Sequence, residues 1–124
     1  MEFVEAPAFT RHVATYLEDA ELLALQMFLI EHPEAGKVMP GTGGFRKLRW
    51  SDETRGKGKR SGLRVIYFYL SGWHQIWLFT LYGKDEASDL TPTQKDQLRT
   101  AIGAELKARR KRTTGAGEER TWRR

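Results

Sequence analysis

Cysteine is absent from the 124 residues, which excludes disulfides, zinc–thiolate sites and thiol nucleophiles. With no mark of an oxidising compartment, the expected location is cytoplasmic. Only three histidines occur, His12, His32 and His74. None stands at metal-ligand spacing to another ligand, so no metal is expected. Gly-x-Ser-x-Gly and Walker-type loops are missing, and Gly56-x-Gly58 is too short and too basic for a dinucleotide fingerprint. No cofactor is expected. The longest uninterrupted apolar run, Val65–Leu70, falls far short of a membrane span, so no membrane partner is expected. Met1–Thr10 carries two Glu and no basic residue, unlike a signal peptide.

What is present is globular in character. Hydrophobic residues make up 40% and charged residues 30% of the chain, with six Phe, four Trp and four Tyr, enough for one domain with its own core. The net charge of +5 is unevenly spread. Residues 1–42 hold two basic and seven acidic residues, whereas residues 43–64 hold eight basic and two acidic. Residues 65–94 are mildly acidic, and residues 95–124 hold ten basic and four acidic. Focused cationic charge points to a polyanionic partner.

Glu2–Glu5 reads as an edge strand closed by Ala6-Pro7. Phe9, Val13 and Leu17 recur at i, i+4 and i+8, the stripe of a short helix. Glu18-Asp19 supplies capping oxygen for a second helix from Ala20 to Glu31. That helix is apolar on most sides and is therefore buried on more than one, or meets a partner. His32-Pro33 ends it. Glu34–Gly44 reads as loop, Phe45–Trp50 and Leu63–Leu70 as strands, and Ser71-Gly72 as a two-residue hairpin leading into Gln75–Tyr82. Thr91-Pro-Thr-Gln94 opens a last helix through a capping box. The expected fold is α+β: a small antiparallel sheet with two N-terminal helices and a C-terminal helix. Residues 1–112 are expected to form the domain, and 113–124 a basic, disordered tail.

The chemistry-bearing residues are cationic. Lys47 and Arg49 share one face of their strand, while Arg46, Leu48 and Trp50 share the other. Lys57, Lys59 and Arg60 stand on a glycine-punctuated loop whose backbone can approach a ligand closely. Arg64 opens the central strand, Tyr82 ends the next, and Lys84 follows Gly83. The hairpin brings Arg64 beside Lys84, with Lys47 and Arg49 joining across the sheet. Arginine suits a bidentate grip on phosphate. A lysine crowded by like charge suits a general base, and a neighbouring cation stabilises a phosphorane-like transition state. Such a set would permit a 2′-hydroxyl to attack the adjacent phosphate without metal or histidine. The alternative is a surface that only binds RNA or DNA backbone, with Trp50 and Tyr82 stacking on bases.

Three strings carry a resemblance: Gly41-Thr-Gly-Gly-Phe-Arg-Lys-Leu-Arg49, Gly56-Lys-Gly-Lys-Arg-Ser-Gly-Leu-Arg-Val-Ile-Tyr67 and Leu81-Tyr-Gly-Lys-Asp-Glu-Ala-Ser-Asp-Leu-Thr91. Together they resemble the HigB-like branch of the RelE/ParE toxin superfamily, over roughly residues 2–110. The resemblance implies a RelE-like, microbial-ribonuclease-like fold and the toxin half of a type II toxin–antitoxin pair. It also implies a metal-independent mRNA interferase that enters the ribosomal A site of the 30S subunit, against rRNA, cuts translated mRNA and so inhibits translation. Lys47, Arg49, Arg64 and Lys84 match the family's catalytic basic positions, Arg64 being the one that holds the scissile phosphate. Lys57 and Lys59 match nucleic-acid contacts, joined by Arg60, Arg46 and Trp50. Such enzymes carry a tyrosine near the chain end, where this chain has a long helix from Thr91 to Lys111. Tyr82 and Lys84 are therefore the candidates for general acid. The implied partner is a cognate helix-turn-helix antitoxin, with operator DNA reached only through that complex. ParE-like relatives instead poison DNA gyrase on the same fold, without cutting RNA.

Overall fold

The computed structural model of the chain describes residues 1–50, 62–84, 86 and 90–115. Its elements are β1 (Glu2–Glu5), α1 (Pro7–Tyr16), α2 (Asp19–Glu31), β2 (Lys37–Val38), β3 (Arg46–Trp50), β4 (Leu63–Leu70), β5 (Gln75–Gly83) and α3 (Pro92–Gly115). The strands form one sheet in the order β1-β5-β4-β3-β2. Among the described residues no helix is long and apolar enough to cross a membrane.

The α+β class stands, but the sheet is mixed rather than antiparallel. β2, β3, β4 and β5 pair antiparallel, whereas β1 runs parallel to β5 with Glu2 opposite Gln75 and Glu5 opposite Leu78. Strand alternation encodes which face is buried but not which edge a four-residue strand will join. The ladder is anchored at both ends by Glu2 N–H donating to His74 O (2.9 Å) and Ala6 N–H to Leu78 O (2.9 Å). The helix arrangement differs as well. Both N-terminal helices follow a strand, and a 3-10 turn over Ser71–Trp73, closed by His74 in the left-handed region (φ 51°), replaces the two-residue hairpin. α3 runs to Gly115, past the boundary expected at 112/113, and residues 116–124 lie outside the described residues.

Local signals set the helix ends. Pro7 starts α1, where its fixed φ suits the first turn. Glu18 and Glu21 form a reciprocal capping box at the start of α2, with Glu18 N–H donating to Glu21 Oε1 at 2.7 Å. Thr91 and Gln94 form the expected box at α3, Thr91 N–H to Gln94 Oε1 at 2.8 Å and Gln94 N–H to Thr91 Oγ1 at 3.1 Å. Each cap contributes about 1 kcal/mol.

The sheet carries a core on each face. α1 and α2 cover one, where Phe9, Leu25 and Leu29 meet Leu48, Val65, Tyr67, Ile76 and Leu78. α3 covers the other, where Leu98 and Ile102 meet Met39, Phe45, Ile66 and Leu70. Each such fully buried side chain contributes about 1.5–3 kcal/mol of transfer free energy. Tyr67 is wholly buried, yet its hydroxyl is satisfied. It donates to Pro33 O (2.8 Å) and accepts from Gly36 N–H (2.9 Å), while burial pushes the phenol pKa above its usual value. The contact requires glycine, because a Cβ at 36 would lie 2.9 Å from Tyr67 Cε1. The far end of α3 is tied down by Arg109. Its Nε donates to Glu105 (2.8 Å), its Nη2 to Gln75 Oε1 (2.7 Å), and its guanidinium lies over the Trp73 ring (4.8 Å).

Candidate nucleic-acid interface

Residues directly opposed in an antiparallel pair share a face, with Cβ atoms about 5 Å apart. Arg49 of β3 opposes Arg64 of β4, which in turn opposes Tyr82 of β5. The three therefore form one row across the sheet, on the face that α3 covers. A second row lies beside it: Lys37 opposes Lys47, Lys47 opposes Ile66, and Ile66 opposes Thr80. Ile66 belongs to the α3-side core, so the cationic rows begin where that core ends. Arg49 is exposed, and Arg64, Lys47 and Tyr82 are half-buried, which leaves the first row open to solvent at its β3 end.

Tyr82 reaches this row through a break in regular pairing. Tyr67 opposes Leu78 but Ile66 opposes Thr80, so Phe79 is an extra residue in β5. Strict alternation from Trp77 would send Leu81 to the α3 side and Tyr82 to the α1/α2 side. The bulge reverses that parity. Leu78 and Leu81 are accordingly buried with α1 and α2, while Trp77, Phe79 and Tyr82 pack on the α3 side. The Tyr82 hydroxyl oxygen is shielded from solvent.

Arg49 against Arg64 is a like-charged cross-strand pair, an arrangement that costs stability rather than adding it. Among the described residues no carboxylate pairs with either arginine. A phosphodiester between them would turn the repulsion into attraction, with a bidentate guanidinium grip on its oxygens.

Lys84 extends the same edge. Its N–H donates to Gly62 O at 3.1 Å, one step beyond the Leu63–Gly83 pair, so it lies past Tyr82 and Arg64 rather than directly opposite Arg64. The turn that carries it is braced. Glu86 Oε1 accepts from Gly83 N–H (2.8 Å) and from the Tyr16 hydroxyl of α1, and Glu86 N–H donates to Gly83 O (2.9 Å). The Tyr16 hydroxyl, and then the Gly83 N–H, hold the Glu86 carboxyl below the ordinary carboxylate range. Partial burial, followed by the Glu86 hydrogen bond and charge, raises the Tyr16 phenol.

The other sequence candidates part company here. Arg46 lies on the opposite face of β3, where its Nη1 donates to Gly36 O (2.8 Å) and Glu34 O (3.1 Å). Trp50 shares that face and packs on Phe28, ring centroids 5.4 Å apart. Neither joins the arginine row. Lys57, Lys59 and Arg60 lie outside the described residues. Two features escaped sequence reading: Lys37, hidden in a two-residue strand inside an apparent loop, and the bulge at Phe79. A Lys-Val-Met alternation was the only signal for the first, and it is too short to stand alone.

His12, His32 and His74 are all exposed, and among the described residues no group of three or more His, Asp or Glu could hold a metal ion. No family model matches the chain.

Proposed function

We propose that the chain is a toxin-type, metal-independent endoribonuclease that cuts translated mRNA in the ribosomal A site and so arrests translation. The observation that carries this reading is the Arg49–Arg64–Tyr82 row, a like-charged pair with a phenol in register beside it. The resemblance of the flanking strings to HigB-like toxins supplies the ribosome, the mRNA and a helix-turn-helix antitoxin as partners.

In this reading Arg64 and Arg49 hold the non-bridging oxygens of the scissile phosphate and stabilise the extra negative charge of the transition state. The 2′-oxygen forms a bond to phosphorus as the bond from phosphorus to the 5′-oxygen breaks. The 2′-proton passes to a base, for which Lys47 and Lys84 are the candidates. A proton goes to the departing 5′-oxygen from exposed Lys84, with Lys47 then the base, because the Tyr82 hydroxyl is shielded from solvent. The products are a 2′,3′-cyclic phosphate and a 5′-hydroxyl.

Short induction followed by primer extension on a translated message tests the proposal. Codon-phased cuts that disappear in Arg64→Ala support it. Intact message alongside a DNA-damage response would replace it with a gyrase poison. Intact message with only RNA binding would reduce it to a binding module.

A further inference from the structure

Core formation accounts for only one side of α2. Leu25 and Leu29 are fully buried, and Leu22 and Phe28 pack beside them. At about 100° per residue, Leu23, Met27 and Ile30 fall on roughly the opposite side. They are 57%, 56% and 46% exposed, and they are three of the six large apolar side chains left exposed among the described residues. Their i, i+4, i+7 spacing makes a straight seam two turns and about 11 Å long. Ala20 and Ala24 beside it are exposed too. Scattered exposed apolar residues are ordinary, but a contiguous seam marks a contact surface.

The charge around the seam identifies what it contacts. From residue 12 to residue 36 there are five acidic residues and no Lys or Arg. Glu18 and Asp19 stand at the start of α2, and Glu31 and Glu34 at or just beyond its end, all exposed. Acids at a helix start favour the helix. Glu31 sits in the last turn, where the helix dipole disfavours a carboxylate; no Lys or Arg answers it there, and the exposed His32 imidazole lies 3.9 Å from it. The core leaves about half of each of Leu23, Met27 and Ile30 uncovered, and a polar residue at any of them would serve the fold nearly as well.

We infer that this face of α2 docks a basic amphipathic helix of another protein. Its apolar stripe lies along Leu23, Met27 and Ile30, and its Lys or Arg residues meet the carboxylates at the two ends. A second copy of this chain fits poorly, because a two-fold contact would set the same acids against one another. RNA and anionic lipid are repelled for the same reason. The seam lies on the α1/α2 side of the sheet and the cationic rows on the α3 side, so both surfaces are available together. The inference does not depend on the nuclease reading.

The test uses the full chain and a fluorescein-labelled helical probe of about 18 residues, with Leu along one stripe and Lys elsewhere. A matched probe carrying Glu in place of Lys is the control. Fluorescence anisotropy is expected to give binding of the basic probe about tenfold or more tighter than the acidic one. The triple variant Leu23→Ser, Met27→Ser, Ile30→Ser is expected to lose that binding while it keeps the wild-type circular dichroism spectrum and a cooperative unfolding transition, with Tm lowered by only a few degrees. Met27→Glu is the single-site check, and Glu31→Gln with Glu34→Gln is expected to weaken binding and flatten its salt dependence. Undiminished binding by the serine variant, or equal binding of both probes, overturns the inference. So does a wild-type dimer in light scattering that the serine variant converts to monomer, since the occupant would then be a second copy.

Discussion

On the α1/α2 side of the sheet, eleven buried apolar and aromatic residues meet in one core, and every strand position from Leu63 through Leu81 that faces it contributes hydrocarbon or a satisfied hydroxyl. On the α3 side the core holds six buried apolar residues among the described residues, and beside Ile66 the face turns to Lys47, Arg64 and Arg49. One face is composed for stability throughout. The other gives up part of its area to like charges in direct register, which costs folding free energy. The difference separates what the fold needs from what it carries.

Substitutions on the two faces should therefore behave in opposite ways. The largest effect is expected on the closed face. Tyr67→Ala removes a fully buried ring and should cost about 3–5 kcal/mol in chemical denaturation. Tyr67→Phe, which keeps the ring but strands the Gly36 N–H, should cost about 1–3 kcal/mol. On the other face, but within its apolar half, Ile102→Ala should cost about 2–4 kcal/mol. Arg49→Thr should reverse the sign. Relieving the repulsion with Arg64 raises stability by about 0.5 kcal/mol, while RNA affinity falls and the salt slope for single-stranded RNA drops by about 0.7. A destabilised Arg49→Thr with unchanged RNA affinity would erase the contrast.

A smaller effect concerns pH. The Glu86 carboxyl is held below its ordinary value first by the Tyr16 hydroxyl. A depressed carboxyl adds stability that is present above its unfolded pKa and is lost as pH falls through the folded one. Tyr16→Phe removes the main cause, so the fall in Tm between pH 7 and pH 3 should be shallower than in the wild type. The same variant loosens the turn that carries Lys84, which thermal scans at fixed pH would register as a slight loss.

Local signals in the chain translate directly into structure. Pro7, the Thr91–Gln94 box and the His32-Pro33 stop mark helix ends by side-chain chemistry confined to a few residues, and β4 runs from Leu63 to Leu70 as its β-branched and aromatic run implies. Non-local choices were not legible. The parallel seat of β1 beside β5 depends on a partner more than 70 residues away. The bulge at Phe79 depends on how β5 meets β4, and it alone decides that Tyr82 rather than Leu81 faces Arg64. The Lys47/Arg49 parity followed from alternation, and so did the separation of Arg46 and Trp50 onto the other side. α2 was readable as apolar all round. Only the structure divides it into an inner side that the core uses and an outer seam that it does not.

The most direct test of the central claim is an end-labelled mRNA on purified translating ribosomes, incubated with the protein in excess EDTA-free buffer and mapped at nucleotide resolution. The account predicts cuts in the A-site codon that leave a 2′,3′-cyclic phosphate and a 5′-hydroxyl, and that vanish in Arg64→Ala while Arg46→Ala still cuts. Uncut message with the wild-type protein, or cutting by Arg64→Ala at the wild-type rate, would contradict it.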